Sequence, residues 1–335
     1  MDICVFTKNY GRGFTGAMTS TYELIDRWTE ENNNVTVITM NVVGKTNSKI
    51  KILKKNNIFD MFRTVMKEKK THKIWYSDDH LGFLLAILNV NYVHTYHASW
   101  PKSLFKNGFI FFIKGLILTF LYILTIKNAN FVGTVSYFAL NFVKKINKKA
   151  VVIRNGIYPT PSIIKKRITF SSPVKIIMVG NVDRQKYKYL NELLPDPQIS
   201  IDIYGKIVDK KLAKEFKKRG AKLKGFCKKV PYKKYDLYLS LSSTENLSMA
   251  MVEAIASGTP VAGLDVGGDK EVIFRGNTGF LLQDRTRKGL RYFFDDYIAS
   301  HKLEFDNTRV VREFNWENAS HKYLSLFRKI IKSEK

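Results

Sequence analysis

Two glutamates, eight residues apart, form the clearest chemical pattern in the chain. Glu245 lies in a predicted turn after the apolar run 237–242, and Glu253 lies inside the helix predicted next. Eight helical steps advance about 12 Å, too far for two carboxylates to share one atom or one metal ion. They could instead hold two ends of an extended ligand, with a phosphate at the N–H groups of the first helical turn between them. The alternative is a helix with two incidental glutamates.

Two cations follow the end of a predicted strand earlier in the same half of the chain. Gly180 ends the strand, and Arg184 and Lys186 follow it in a predicted turn. Two fixed cations at such a position could stabilise negative charge on an anionic group without a metal. The alternative is a pair of solvated surface cations.

The first half of the chain holds two weaker patterns. His97 directly follows the predicted strand 92–96, and a neutral imidazole there could donate to or accept from a hydroxyl, or cap the next helix. His94, inside that strand, is predicted to be structural. Gly16 belongs to a glycine-containing loop, 9–17, between the first strand and the first helix, and a plain turn is the alternative there.

Short apolar strands alternate with helices along both halves of the chain. This alternation predicts an α/β fold with parallel sheets covered on both faces. The predicted strands are 3–7, 35–39, 73–77, 92–96, 131–135 and 151–155, then 174–180, 199–205, 221–226, 237–242 and 260–265.

A break in this alternation divides the chain into domains. We predict a first domain over 1–157, a linker rich in Pro, Ser and Lys over 158–173, and a second domain over 174–315. Residues 316–335 are predicted to form an amphipathic helix that can pack back on the first domain. Ligands bind outside the carboxyl ends of strands in such sheets, which places the expected site in a cleft between the domains.

The strand, Glu245, helix and Glu253, followed by Ala-Ser-Gly-Thr-Pro at 256–260, resemble the E-x7-E signature of the family 4 type of glycosyltransferase. That family belongs to the GT-B superfamily, so the resemblance implies two tandem Rossmann-like, doubly wound domains with an interdomain cleft. It implies that Glu253 holds the ribose hydroxyls of a nucleotide and that Glu245 faces the transferred sugar. The three residues that directly follow Glu245, namely Asn246, Leu247 and Ser248, are expected to contact the donor. Asn246 and Ser248 stand where the family often has glycines, which bears on the sugar accepted.

The same resemblance assigns roles to the cations and to His97. Lys186 matches the lysine that neutralises the donor diphosphate, beside Gly180 in the donor site. Asn181 stands where the family usually has arginine, and Arg184 is predicted to supply that missing charge. His97 matches the histidine that contacts the donor sugar, so it joins Lys186 and the first glutamate as an expected catalytic residue. The first-domain glycine loop of the family, near the donor phosphates, corresponds best to Gly16.

The reaction that the resemblance implies is hexosyl transfer from a nucleotide-sugar donor to a glycan or lipid-linked glycan, with retention of the anomeric configuration. The departing phosphate would accept the proton of the acceptor hydroxyl on the same face of the sugar. No Asp-x-Asp triplet occurs in the sequence. We therefore expect no metal requirement and no cofactor, the nucleotide-sugar being a co-substrate.

The charge balance and one apolar segment predict an anionic membrane partner. The chain has 56 Lys and Arg against 29 Asp and Glu, a net charge of +27. Residues 108–126 are almost wholly apolar, within a helix predicted over 103–127, and could span a membrane, lie on it, or form a buried core helix. We predict a cytoplasmic protein on the cytoplasmic face of the membrane that acts in cell-surface polysaccharide synthesis. Two distant cysteines, Cys4 and Cys227, fit a reducing compartment.

Two other classes of function remain open at this point. One is another GT-B enzyme, a nucleotide-sugar epimerase or a phosphorylase. The other is a non-catalytic, basic nucleic-acid-binding protein, suggested only by the charge. The sequence has no recognised nucleic-acid-binding motif, so no nucleic-acid partner is expected.

Overall fold

The computed structural model describes residues 1–12, 16–97, 109–158, 161–170, 172–298 and 302–333, with residues 296 and 297 described by backbone alone. The chain divides into two compact units. The first unit comprises Met1–Gly156 and Asn315–Lys335, and the second comprises Ile157–Phe314.

A seven-stranded parallel sheet forms the centre of the first unit. Its strands, together with a small separate pair, are β1 (Asp2–Phe6), β2 (Asn9–Gly11), β3 (Asn34–Thr39), β4 (Asn41–Val43), β5 (Lys51–Lys54), β6 (Ile74–Ser77), β7 (Tyr92–Tyr96), β8 (Phe131–Thr134) and β9 (Ala150–Val152). The sheet order is β5-β3-β1-β6-β7-β8-β9, and β2 pairs with β4. Apart from Asp2 at the start of β1, every residue of β1, β6 and β7 is buried, as expected for strands covered on both faces, and most of these residues are apolar.

The helices of this part of the chain are α1 (Gly16–Glu30), α2 (Ile58–Glu68), α3 (Phe83–Ile87), α4 (Phe109–Asn128) and α5 (Tyr137–Val143). Side chains at their starts fix two of these helices. Asn57 accepts a hydrogen bond from the Asp60 N–H before α2, and Ser136 accepts one from the Ala139 N–H before α5.

The second unit contains a six-stranded parallel sheet and a two-stranded antiparallel ribbon. Its strands are β10 (Lys165–Thr169), β11 (Val174–Val179), β12 (Ile199–Tyr204), β13 (Lys222–Gly225), β14 (Leu237–Ser240), β15 (Val261–Leu264), β16 (Gly279–Leu282) and β17 (Lys302–Asp306). The sheet order is β13-β12-β11-β14-β15-β16, and β10 pairs with β17. The helices are α6 (Leu190–Leu193), α7 (Lys210–Lys218), α8 (Met249–Ala256), α9 (Arg287–Tyr292) and α10 (Thr308–Glu313).

The predicted linker over 158–173 is wrong over part of its length. Residues Lys165–Thr169 form β10, which pairs residue by residue with Lys302–Asp306 inside the second unit. Lysine and arginine at three of the five positions of β10 hid the strand in the sequence. They are tolerated because this ribbon is exposed on that side, and Lys165 and Arg167 pair with acids on β17.

The chain ends in α11 (Trp316–Ser333), which belongs to the first unit. Its apolar face packs on α1, where the Trp28 ring meets Tyr323 and Phe327 edge-on at centroid distances of 6.0 and 5.2 Å. The Tyr323 hydroxyl also shares a 2.7 Å hydrogen bond with Thr95 at the end of β7. The last helix is therefore an integral part of the first unit's core.

Helix α4 is apolar around most of its circumference, but only one face is buried. Gly115, Leu118, Tyr122 and Ile126 form that face at spacings of three and four residues. The fully buried alternative is therefore wrong, since Phe120 on the outer face is 65% exposed. By length and composition alone, this described helix is able to cross a membrane. The predicted start of the helix, 103–108, lies outside the described residues.

Candidate active site

Lys186 and Glu245 meet at the carboxyl edge of the second sheet. They follow β11 and β14, which are adjacent strands, so the two loops end at the same edge despite their separation in sequence. The Lys186 ammonium forms an ion pair with Glu245 Oε1, and the two side chains are 32% and 11% exposed. Ser242 donates a 2.9 Å hydrogen bond to the same carboxylate oxygen. This cation and carboxylate therefore form a partly shielded polar pair, in which solvent screens their charges less than on the surface.

Backbone hydrogen bonds tie the two loops together. The Ser243 N–H donates to the Gln185 carbonyl at 2.8 Å. Asp183 accepts from the N–H groups of Gln185 and Lys186 at 2.9 and 2.8 Å. Lys186 is thus positioned by its own loop as well as by the carboxylate that it meets.

A glycine pair lies directly behind Glu245. Gly267 has a φ of 61°, and a Cβ added there would lie 1.9 Å from the Glu245 carbonyl oxygen. The next N–H, from Gly268, donates to the Asn246 carbonyl at 2.8 Å. Only glycine fits Gly267, because both the backbone conformation and the available space exclude a side chain. The loop that follows β15 therefore sets the position of the Glu245 backbone.

Asp269 is a buried carboxyl group that is not among the predicted site residues. It accepts a 2.8 Å hydrogen bond from the Ser248 N–H at the start of α8. Burial, and secondly the nearby Glu245 charge, raise the pKa of Asp269 to about 7. Its position two residues after Gly267 was the sequence feature that could have pointed to it. Nothing in the sequence indicates that it lies beside Ser248.

Glu253 projects from α8 and meets Tyr232. The Tyr232 hydroxyl donates a 2.8 Å hydrogen bond to Glu253 Oε2. Burial raises the pKa of Glu253, and this hydrogen bond acts in the opposite direction. Tyr232 engages one carboxylate oxygen, which leaves the other for a ligand hydroxyl. Tyr232 was also missed in the sequence, because only the folded chain brings it to Glu253.

The three residues that directly follow Glu245 serve mainly as scaffold. The Leu247 side chain lies in the hydrophobic core of the second unit. Ser248 caps α8, its side chain accepting from the Met251 N–H at 3.3 Å while its own N–H donates to Asp269. Asn246 accepts from Gly268 through its carbonyl. The predicted donor contacts of Leu247 and Ser248 are therefore not provided by free side chains.

Arg184 is not brought to Lys186 and Glu245. Its side chain is 82% exposed, with Nε 3.4 Å from Asp209 Oδ2. Asp209 also caps α7 by accepting from the Leu212 N–H at 3.0 Å. Gly180, by contrast, lies at the expected strand end, where its N–H donates to the Tyr204 carbonyl at 2.9 Å. The arginine therefore lies beside α7 on the surface, and not in the position predicted for a second phosphate-binding cation.

The candidate residues of the first unit lie in or directly after β7 and at the start of α1. His97 directly follows β7, and burial lowers its pKa to about 4, so the ring is neutral near pH 7. His94 is fully buried with Nδ1 2.9 Å from the Ser77 hydroxyl, as a structural residue would be. Gly16 is the exposed first residue of α1, and a Cβ there would meet nothing within 4 Å. Residues 13–15 and 98–101 of these two motifs lie outside the described residues.

A further buried carboxyl group lies in the first unit. Asp78 follows β6 and accepts a 2.5 Å hydrogen bond from the Thr21 hydroxyl of α1. Burial, and secondly Asp79, raise its pKa to about 7. Among the described residues, no group of three or more His, Cys, Asp or Glu side chains is arranged to hold a metal ion.

The second unit is similar to a known family of sequences. Residues 160–304 match the family model described as glycosyl transferases group 1. Most of the second unit is therefore similar in sequence to group 1 glycosyl transferases. The matched residues include Lys186, Glu245 and Glu253.

Two curated relatives show how far the similarity extends. A UDP-N-acetylglucosamine–peptide N-acetylglucosaminyltransferase GtfA subunit of Streptococcus gordonii is 37% identical over 93 residues, which cover 26% of this chain and 18% of that protein. An uncharacterised glycosyltransferase of Methanocaldococcus jannaschii is 24% identical over 82% of this chain and 78% of its own length. The chain thus matches less than a fifth of the first relative and more than three quarters of the second.

Solved structures with similar folds cover almost the whole chain. Sucrose-phosphate synthase of Thermosynechococcus elongatus has a TM-score of 0.73 at 16% identity, with 99% of both chains covered. HepE of Anabaena, solved in complex with UDP, has a TM-score of 0.65 at 15% identity, again with 99% of both chains covered. The lipopolysaccharide outer core galactosyltransferase WaaB has a TM-score of 0.66 at 15% identity over 100% of both chains. These neighbours are GT-B glycosyltransferases, and the predicted GT-B fold is confirmed.

Proposed function

We propose that this glycosyltransferase transfers a hexosyl group from a nucleotide-sugar donor to a glycan or lipid-linked glycan acceptor, with retention of the anomeric configuration. The observation that carries the donor assignment is the carboxyl edge of the second sheet, where Lys186 meets Glu245 and where Glu253 follows in α8. Similar folds solved with UDP or UDP-glucose support a nucleotide-sugar donor.

Lys186 is the group that would neutralise the donor diphosphate. It is held by Asp183 through its backbone and by Glu245 through its ammonium. A diphosphate at this point would share the ammonium with Glu245, which keeps the cation aimed at the leaving oxygen as charge builds there. The proposal includes metal-independent transfer, because this preorganised cation offers the charge stabilisation that a metal would otherwise supply.

Glu245 and Glu253 would hold the two sugars of the donor. Glu253 offers one carboxylate oxygen to the ribose hydroxyls while Tyr232 fixes the other. Glu245, fixed by Ser242 and by the glycine loop behind it, would accept hydroxyl hydrogen bonds from the transferred sugar. The acceptor hydroxyl would attack the anomeric carbon on the face that the phosphate leaves. Its proton would pass to the departing phosphate oxygen.

The proposed setting is the cytoplasmic face of an anionic membrane, in cell-surface polysaccharide synthesis. The exposed face of α4 carries Phe109, Ile110, Ile117 and Phe120, each at least 55% exposed. The net charge of +27 adds attraction to anionic lipid, with about 1 kcal/mol for each basic residue close to the surface. A lipid-linked glycan acceptor would be found at such a surface.

A donor screen with matched variants tests the proposal. The chain is incubated with UDP-, GDP-, ADP- and dTDP-sugars, and its melting temperature and the release of free nucleotide are measured, with and without EDTA. We expect one nucleotide class to stabilise the parent and Glu245→Gln, and to stabilise Glu253→Ala much less. Release of nucleotide should be lost in Glu245→Gln. In the parent, release should be unaffected by EDTA. Conversion of the donor to an epimer, or a dependence on inorganic phosphate, would instead indicate an epimerase or a phosphorylase. If no nucleotide-sugar stabilises the parent, the proposal is wrong.

A further inference from the structure

A cavity lies beside β16, the edge strand of the second sheet, away from the loops of the candidate active site. Its volume is about 710 Å³, and it lies between β16, α9 and β17. This is within the range of small-molecule sites, roughly 300–1,000 Å³. Strand β14, whose loop carries Glu245, is separated from β16 by β15. None of Lys186, Glu245 and Glu253 is among the lining residues.

The walls of the cavity are apolar and well packed. They include Phe280 and Leu282 of β16, Leu303 of β17 and Phe293 after α9, all at least 92% buried. The Phe280 and Phe293 rings meet edge-on at a centroid distance of 5.5 Å. Phe293 opens a π-helical turn, Phe293–Tyr297, and such turns are rare and are frequent at functional sites. The walls would therefore accept an apolar body.

The rim of the cavity is basic. Arg275, Lys288 and Lys302 line it, and none of the three forms an ion pair within the described part of the chain. The acid of the lining, Asp284, is already engaged. Its two oxygens accept from the Thr286 N–H at 2.8 Å and the Thr286 hydroxyl at 2.9 Å. A ligand would therefore meet three uncommitted cations and one carboxylate already occupied at the start of α9.

We propose that this cavity binds a soluble amphipathic anion, a small molecule with an apolar body and one carboxylate or phosphate group. The apolar walls bury the body, which provides most of the binding free energy. The rim cations bind the anionic group and discriminate against neutral or cationic molecules of the same shape. This site is separate from the donor site, and its test does not depend on sugar transfer.

A tryptophan reporter at the rim makes the cavity observable. The four tryptophans of the chain, Trp28, Trp75, Trp100 and Trp316, all lie outside the second unit. Tyr292 lines the cavity and is 59% exposed, so Tyr292→Trp places an indole there. The probe is decanoate below its micelle concentration, with decanol and decyltrimethylammonium as neutral and cationic counterparts. We expect a saturable change in tryptophan emission with decanoate. Decanol and decyltrimethylammonium should bind with affinities at least about tenfold weaker than that of decanoate.

Reversing the charge of two rim lysines tests whether decanoate binds in this cavity. In the Tyr292→Trp background, Lys288→Glu with Lys302→Glu should weaken decanoate binding by about tenfold or more. The matched control, Lys214→Glu with Lys217→Glu on the exposed side of α7, should leave it unchanged. Equal affinities in the two double variants would overturn the proposal, as would a parent that shows no saturable change. A response to phosphatidylglycerol vesicles without one to decanoate would also overturn it, because the ligand would then be a membrane lipid. Thermal stabilisation by the nucleotide-sugar should be the same in all these variants.

Discussion

Gly267→Ala should inactivate the enzyme by displacing Glu245 without removing any polar group. A Cβ at this position would lie 1.9 Å from the Glu245 carbonyl oxygen. Carbon and oxygen rarely approach within about 3 Å, so one of the two loops must move by roughly 1 Å. A misplacement of that size at a catalytic group can lower the rate by about 100-fold. The positive φ of 61° adds about 1 kcal/mol of backbone strain for alanine.

Gly220→Ala is a control that separates the clash of the added Cβ from the backbone strain of a positive φ. Gly220 has a φ of 97°, but a Cβ there would meet nothing within 4 Å. Both variants should lose stability, measured by urea unfolding, and only Gly267→Ala should lose about 100-fold in nucleotide release from the donor. Nucleotide binding itself should largely persist in Gly267→Ala, because Glu253 is held separately by Tyr232. Equal activities in the two alanine variants would refute the reasoning.

Three further predictions concern other parts of the molecule. Tyr232→Phe removes the hydroxyl that fixes Glu253, so nucleotide affinity by calorimetry should fall about tenfold; the control Tyr235→Phe, which loses a comparable 2.7 Å bond to Asp202, should bind like the parent. Because the pKa of Asp269 is raised from 3.8 to about 7, the folded chain binds more protons than the unfolded chain between these values, and stability falls as pH rises through this window. The free energy of unfolding, measured with urea, should therefore fall less between pH 5 and pH 7.5 in Asp269→Asn than in the parent. An equal dependence on pH in the two proteins would contradict this. Ile117→Ser with Phe120→Ser on α4 should abolish flotation with anionic vesicles at low salt, whereas Phe59→Ser, at a residue 73% exposed on α2, should not; flotation of all variants alike would contradict the membrane role of α4.

The sequence predicts the two parallel sheets well because their central strands are buried on both faces. Strands such as β1 and β11 consist mostly of apolar residues, a pattern typical of strands buried on both faces. Three edge and ribbon strands that the sequence did not predict, β5, β10 and β16, show that pattern over at most three residues each. β5 has lysine at both ends, β10 is mostly basic, and β16 begins with a glycine, so their pairing depends on neighbours distant in sequence.

The candidate site is predicted where a local motif positions the residue. Glu253 lies on a helix that follows a strand, as predicted, and Lys186 and Glu245 follow neighbouring strands. Contacts between distant segments are not encoded by spacing. The pairing of Arg184 with Asp209, and those of Tyr232 with Glu253 and Asp269 with Ser248, arise only when successive loops meet at the sheet edge.

The most direct test of the donor site is the diphosphate increment, which is the gain in binding affinity from a nucleoside to its diphosphate. Calorimetry would compare the nucleoside with its diphosphate, using the base that the donor screen identifies, for the parent, Lys186→Met and Arg184→Met. If Lys186 holds the diphosphate, the increment is large in the parent and in Arg184→Met, and falls by about tenfold or more in Lys186→Met. An increment that survives in Lys186→Met and disappears in Arg184→Met would contradict the account, because the exposed arginine would then be the phosphate-binding cation.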